Sequence, residues 1–371
     1  MALPTITVPQ GGGQDSYIRF QDVDMAFGNV NVVQGLQLNI AKGEFVSMLG
    51  PSGSGKTTIL MMLAGFLKPT GGSILLDGKR IDGLPPYKRD MGVVFQNYAL
   101  FPHMTVAENI AFPLRMRAER RAETERRVKA VLDMVQLSHT ADRRPSMLSG
   151  GQQQRIALAR ALVFEPSVVL MDEPLGALDK QLREQMQLDI RALHHRLGLT
   201  IVFVTHDQGE ALTMSDRIAV FNKGRIDQIG PPHEIYDHPT TRFVAEFIGE
   251  TNLLPGKVEH AAAGAMRVRL DAGPVIEVTG DGHPAGDSVL VSLRPERLRI
   301  EPGEAEPGAG AQNVLSVDVE DCVYQGDHLR LHLKDAALDL VARVDRSQPA
   351  PTIGSRARVR FASSDCWIVK P

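Results

Sequence analysis

The segment "GPSGSGKT", Gly50 to Thr57, fits the spacing G-x-x-x-x-G-K-[ST]. It follows the apolar run "GEFVSMLG" and precedes "TTILMMLAGFL", so the pattern predicts a buried strand, a loop and a helix in that order. Gly50, Gly53 and Gly55 let backbone N–H groups curl round phosphates, and the helix start adds positive potential. Lys56 is then placed to reach the β- and γ-phosphates of a nucleotide, and the Thr57 hydroxyl to bind Mg²⁺. The expected nucleotide site also takes in Pro51, Ser52, Ser54 and Thr58.

Acidic and polar partners follow at the ends of other apolar runs. In "VVLMDEP", Val168 to Met171 predict a buried strand, so Asp172 emerges at its carboxyl end, where it suits a Mg²⁺ ligand acting through water. Glu173 points differently and is the candidate to polarise an attacking water. His206 in "VFVTHD" ends a second buried strand and is expected to contact the γ-phosphate. Gln96 in "VVFQNYALFPHMTV" follows a third; its amide suits orienting water or completing the Mg²⁺ shell. Phe27 in "AFGNV" is either an adenine-stacking ring or a core phenylalanine. A second glycine-rich segment, "LSGGQQQR" (Leu148 to Arg155), also precedes a helix, although one nucleotide has only one set of phosphates.

These residues need a scaffold. The chain has 371 residues, 43% hydrophobic and 23% charged, with a net charge of -3. That suits two or more soluble globular domains and argues against bulk electrostatic binding of nucleic acid. Cys322 and Cys366, the two cysteines, lack metal spacing and fit a reduced setting. Residues 1–16 are read as a flexible leader without a secretory pattern, and no apolar run approaches the roughly 20 residues that span a bilayer. From 17 to 249, apolar runs alternate with amphipathic stretches, which predicts an α/β domain with a parallel sheet. A helical part covers about 97–160. There "TVAE" (Thr105 to Glu108) predicts a helix from Val106, and Val128, Val131, Leu132 and Val135 mark a helix over 119–137. Its Arg120, Arg121, Arg126 and Arg127 read as a solvated face. Beyond 250, "AMRVRL", "HLRLHL" and "RARVRF" alternate as half-buried strands do, so 250–371 is expected to be an all-β domain, a small barrel, with 301–312 as a flexible connector.

With "GPSGSGKTT", "LSGGQQQR", "VVLMDEP", "GALD" and "VTHD" in this order, residues 17–249 resemble the nucleotide-binding subunit of an ATP-binding cassette (ABC) transporter, a P-loop NTPase. The resemblance implies that Phe27 stacks on adenine, Gln96 senses the membrane subunits, Asp179 lies in the D-loop, Glu173 is the catalytic glutamate and His206 the switch histidine. Gly176 stands where the family usually has Ser. It also implies that Ser149, Gly150, Gly151 and Gln152 close in trans over ATP held by a second copy, so that ATP joins a dimer. The β domain, with "FIGETNLLPGKV" and "SLRPERLRI", resembles the oligonucleotide-binding-like (OB, TOBE) regulatory domain of importer ATPases. Among type I importers the chain looks most like the polyamine (spermidine/putrescine) branch; ferric iron and sugar importers share many of these features.

The family's partners would be two membrane permease subunits and, through them, an external substrate-binding protein, with the chain peripheral on the cytoplasmic face of the membrane. The exposed run "NYALFPHMT", with Gln96, Tyr98 and Phe101, is expected to receive the permease helices. A chromosome-type ATPase with a similar loop would need a long coiled coil, absent from this pattern. Nucleic-acid binding by the β domain would need aromatic platforms, yet only Tyr324, Phe361 and Trp367 follow Phe247.

Overall fold

The computed structural model describes residues 16–262, 264–280, 282–303, 312–335, 337–347 and 351–370. The expected leader and most of the 301–312 connector therefore lie outside the described residues. The chain divides into two compact units, parting between Pro232 and His233.

The first unit carries two sheets. β1 (Ser16–Phe27), β2 (Val30–Ala41), β4 (Gly71–Leu76) and β5 (Lys79–Arg80) form an antiparallel sheet in the order β2-β1-β4-β5. β3 (Phe45–Leu49), β6 (Met91–Val94), β7 (Val168–Asp172), β8 (Thr200–Thr205), β9 (Arg217–Asn222) and β10 (Arg225–Gly230) form a second sheet, ordered β10-β9-β3-β8-β7-β6. In it β9, β3, β8, β7 and β6 run parallel. Every residue of β3, β7 and β8 is buried, the pattern of strands covered on both faces. Because the strands are parallel, the segments after β3, β6, β7 and β8 leave the sheet at one edge, which gathers the residues singled out above.

Helix α1 (Lys56–Ala64) follows β3 and stops earlier than the apolar run suggests. Gly65 adopts φ 88° and donates its N–H to the Met61 and Met62 carbonyls, closing the helix. α2 (Val106–Met116) starts at the expected residue: Thr105 Oγ accepts from Glu108 N–H and the Glu108 carboxylate accepts from Thr105 N–H. α3 (Arg121–Met134) buries Val128, Val131 and Leu132, while Glu123 pairs with Arg126 and Arg127 on its solvated side. α4 (Gly150–Leu162), α5 (Lys180–Leu197) and α6 (Gln208–Met214) complete the unit.

Among the described residues the second unit holds α7 (Pro232–Asp237, all but its first residue), α8 (Arg242–Phe247) and ten strands. β11 (Asn252–Ala262), β12 (Ala265–Leu270), β13 (Val275–Thr279) and β14 (Ser288–Leu293) make one sheet with β20 (Cys366–Val369). β15 (Arg299–Pro302), β16 (Gln312–Tyr324), β17 (His328–Asp335), β18 (Leu338–Asp345) and β19 (Arg356–Ala362) make the other. Both contribute their alternate apolar residues to one core, including Val268, Val291, Leu331 and Val359. The strands thus fall in two five-stranded antiparallel sheets around that core, where the alternation suggests a single small barrel.

The unit begins before Gly249, where the composition changes. Arg294, 5% exposed, donates to the carbonyls of Tyr236, Ala245, Gly249 and Glu250, and so ties α7 and α8 to the β strands.

Candidate active site

The loop after β3 is built by close backbone approach. A Cβ on Gly50 would lie 2.4 Å from the Phe221 carbonyl oxygen. Gly55, at φ 97°, caps α1 without a side-chain hydrogen bond, and the first turn has no acidic residue. The first N–H groups of α1 therefore lack a side-chain acceptor and favour an anion. Lys56 is buried, with Nζ donating to Gly50 O (2.8 Å), Pro51 O (2.8 Å) and Ser54 Oγ (3.3 Å). Burial pushes its ammonium below the usual lysine range, opposed by the charges of Glu173 and Asp172. Ser52, Gly53 and Thr57 are exposed and Thr58 is half-buried.

Thr57 Oγ1 donates to Asp172 Oδ1 at 2.9 Å. Burial pushes the Asp172 carboxyl up, and the Thr57 hydrogen bond holds it down. The two residues present hard oxygens side by side, donor chemistry that fits Mg²⁺. Among the described residues no cluster of three or more His, Cys, Asp or Glu side chains forms a metal site, so an ion here would draw further ligands from phosphate and water.

Glu173 sits at φ 42°, with its N–H bonded to Val204 O. Its carboxylate lies between two side chains from neighbouring strand ends. Gln96 Nε2 donates to Oε2 at 3.3 Å, and His206 Nδ1 lies 3.2 Å from Oε1. Each oxygen keeps acceptor capacity for a water. The turn bearing His206 is held by residues that the sequence reading does not single out. Thr205 Oγ1 donates to Glu210 at 2.6 Å and accepts from Asp207 N–H, and Arg183 Nη1 reaches Asp207 at 3.2 Å. Burial raises the Glu210 carboxyl. Asp207-x-x-Glu210 is a helix-start pattern, and Asp207 does cap α6, but Arg183 comes from distant α5 without a local signal.

The structure thus brings Lys56, Thr57, Gln96, Asp172, Glu173 and His206 to one place. Phe27 ends β1 and is 49% exposed, so it is not a core residue. Ser149 and Gln152 form a capping box on α4, and Asp179 caps α5. Gly150 is exposed, whereas a Cβ on Gly151 would lie 2.6 Å from Leu182 Cδ2. A Cβ on Gly176 would make an ordinary 3.6 Å contact with Glu173 O. One expectation is corrected. Tyr98, read as part of an exposed docking run, is 7% exposed and packs in the core, because Tyr98 and Ala99 turn the chain inward at φ 61° and 47°.

A phosphate-shaped loop, a Thr–Asp oxygen pair and a carboxylate beside them define a P-loop nucleoside-triphosphate hydrolase. Residues 33–176 match the family model for the ABC transporter, and residues 291–369 that for the TOBE domain. The spermidine/putrescine import ATP-binding protein PotA of Rubrobacter xylanophilus is 45% identical, covering 96% of this chain and 94% of that protein. The protein of the same name from Ruegeria pomeroyi is 49% identical over 92% of each. Among solved structures, cbiO1 of Clostridium perfringens, part of the ABC transporter complex cbiONQ, has a TM-score of 0.56 at 30% identity, covering 60% of this chain and 91% of that one. A dimeric post-hydrolysis ATP-binding cassette bound to ADP and Pi has a TM-score of 0.52 at 33% identity, covering 58% of this chain and 98% of that one. The chain belongs to the family of ABC-transporter ATP-binding proteins and is an ABC-type ATPase with a TOBE domain.

Proposed function

We propose that this chain powers a polyamine importer, working as an ATP-joined homodimer beneath two permease subunits. The observation that carries the hydrolytic reading is the Glu173 carboxylate, set between Gln96 and His206 and next to the Thr57–Asp172 pair. ATP would lie with its phosphates on the 50–58 loop, where Lys56 exchanges its carbonyl partners for phosphate oxygens. A Mg²⁺ ion held by Thr57 and Asp172 would neutralise charge on the β- and γ-phosphates. Glu173 would accept the proton of a water whose oxygen bonds to the γ-phosphorus as the bond to the β-phosphate oxygen breaks, giving ADP and phosphate. Gln96 fixes the orientation of that carboxylate, and His206 stabilises charge on the transferred phosphoryl group.

Phe27 would stack on adenine from its exposed position. Ser149, Gly150, Gly151 and Gln152 of one copy would cover the γ-phosphate held by the other, with Asp179 at the same junction. A site shared by two copies makes closure depend on ATP and release depend on hydrolysis, the cycle that would swing permease helices seated near Gln96 and Phe101. No helix among the described residues is long and apolar enough to cross a membrane. A peripheral position on the cytoplasmic face then rests on the permease contact. Polyamine transport is supported by relatives at 45% and 49% identity that bear that name. The substrate itself would be met by the permease and an external binding protein. The test is ATPase stimulation of the chain with its co-purified membrane partners. Binding protein loaded with spermidine or putrescine should stimulate; stimulation by ferric iron or sugar, and none by polyamines, would overturn the substrate assignment.

A further inference from the structure

Gln96 begins an irregular loop that runs to Thr105, and side chains from α2 and α4 bond to its backbone. At the far end Asn109, fully buried on α2, accepts from Phe101 N–H (2.8 Å) and donates to Phe101 O (3.1 Å) and Thr105 O (2.9 Å). At the end next to Gln96 the partner is Arg160, in the last turn of α4. Its Nη1 donates to Ala99 O at 2.7 Å and its Nη2 to Tyr98 O at 2.8 Å, and its guanidinium lies 5.6 Å from the centre of the Phe101 ring.

Those two carbonyls belong to successive non-glycine residues in the left-handed region, Tyr98 at φ 61° and Ala99 at φ 47°. Such backbone persists only where its surroundings hold it. The planar fork of an arginine can hold both carbonyls at once; a lysine ammonium lacks that fork. The two ends of α4 therefore touch different parts of the chemistry. Its first turn is capped by Ser149, and Arg160 lies eleven residues on, about 16 Å along the helix. From Arg160 the path runs through Tyr98 to Gln96, whose amide donates to Glu173.

We propose that Arg160 is a positioning residue for hydrolysis, fastening the Gln96 loop to α4 so that displacement of the Ser149 end is delivered to the Glu173 carboxylate. This rests on the proposed role of Ser149 to Gln152 in covering a neighbour's nucleotide. Arg160 has no part in holding ATP, so its loss separates binding from turnover.

The experiment compares full-length Arg160→Met and Arg160→Lys with the unmodified chain. Three quantities are measured: ATP affinity by titration calorimetry, kcat and KM for ATP hydrolysis, and hydrogen exchange of peptides from 96–101 and from 150–162. Arg160→Met should lower kcat by about tenfold or more while ATP affinity stays within about twofold. Exchange should rise in 96–101 and not in 150–162. Arg160→Lys, whose ammonium keeps donors but lacks the planar fork that meets both carbonyls side by side, should fall between. An unchanged kcat would overturn the proposal, as would a loss of ATP affinity parallel to the loss of kcat with raised exchange throughout α4. If Arg160→Met does not fold, Arg160→Lys decides: reduced kcat at constant affinity supports the coupling, and unchanged kcat overturns it. Glu173→Gln is run alongside. If it hydrolyses normally, the reading of Glu173 fails; if it is inactive while Arg160→Met is fully active, only the coupling fails.

Discussion

Arg294→Met should unfasten the second unit from its two leading helices. The guanidinium donates to the carbonyls of Tyr236, Ala245, Gly249 and Glu250 and lies 4.3 Å from the centre of the Tyr236 ring. Tyr236 in turn donates to Glu296 at 2.6 Å, and burial with that contact pushes its phenol up to about 12. Methionine keeps most of the stem and removes every donor. Four carbonyls lose a charged donor, while the cost of burying a cation disappears. The net loss is about 3 kcal/mol, near the lower end for breaking a buried charged interaction. With a urea dependence of about 1.5 kcal/mol/M, the midpoint should fall by about 2 M.

The assay is built into the chain. Trp367 is its single tryptophan, lies in β20 and meets His238 with ring centres 4.3 Å apart and planes tilted by 41°, so its fluorescence reports this unit. ATP affinity should be kept, since Lys56, Thr57 and Asp172 belong to the other unit. A midpoint that moves by less than about 0.3 M would refute the reasoning, because the carbonyl cluster would then carry no net stabilisation.

Other outcomes follow from the same geometry. Gly151→Ala places a methyl 2.6 Å from Leu182 Cδ2 and should lower thermal stability by about 1 kcal/mol, whereas Gly150→Ala, 3.5 Å from Leu178, should not; equal melting temperatures would contradict this. Phe27→Ala should raise KM for ATP by about fivefold or more with folding intact, because the ring is half exposed and a lost base stack costs at least about 1 kcal/mol; an unchanged KM would remove Phe27 from the site. The Glu250 carboxyl is held below its usual value of 4.5, first by the Arg330 hydrogen bond and also by Arg343. A depressed folded value contributes stability above pH 4.5 that is lost as pH falls through the lower value. Glu250→Gln should therefore flatten the acid limb of a Trp367-monitored stability profile, and an unaltered limb would contradict the pairing.

Much of the site is legible because parallel strands end together. An apolar run followed by Gly50 to Thr57, Gln96, Asp172–Glu173 or His206 specifies both a buried strand and the polar group at its carboxyl end. What escapes is set by tertiary contact. Tyr98 looks suited to an exposed docking run, but nothing in residue type announces two successive left-handed residues at Tyr98 and Ala99. Gly151 reads as phosphate-loop chemistry, yet its lack of a side chain also makes room for Leu182 on α5. The start of the second unit cannot be read from alternation near Gly249, because Arg294 fixes it from 45 and 58 residues away through Gly249 and Tyr236.

The measurement that tests the central claim most directly is light-scattering mass of Glu173→Gln on sizing chromatography, with and without ATP and Mg²⁺, beside its ATPase rate. If Glu173 accepts the water's proton and ATP joins two chains, this variant binds ATP, hydrolyses almost none of it, and elutes at twice the chain mass only when nucleotide is present. Normal hydrolysis by Glu173→Gln, or a single-chain mass with ATP bound, would contradict the account.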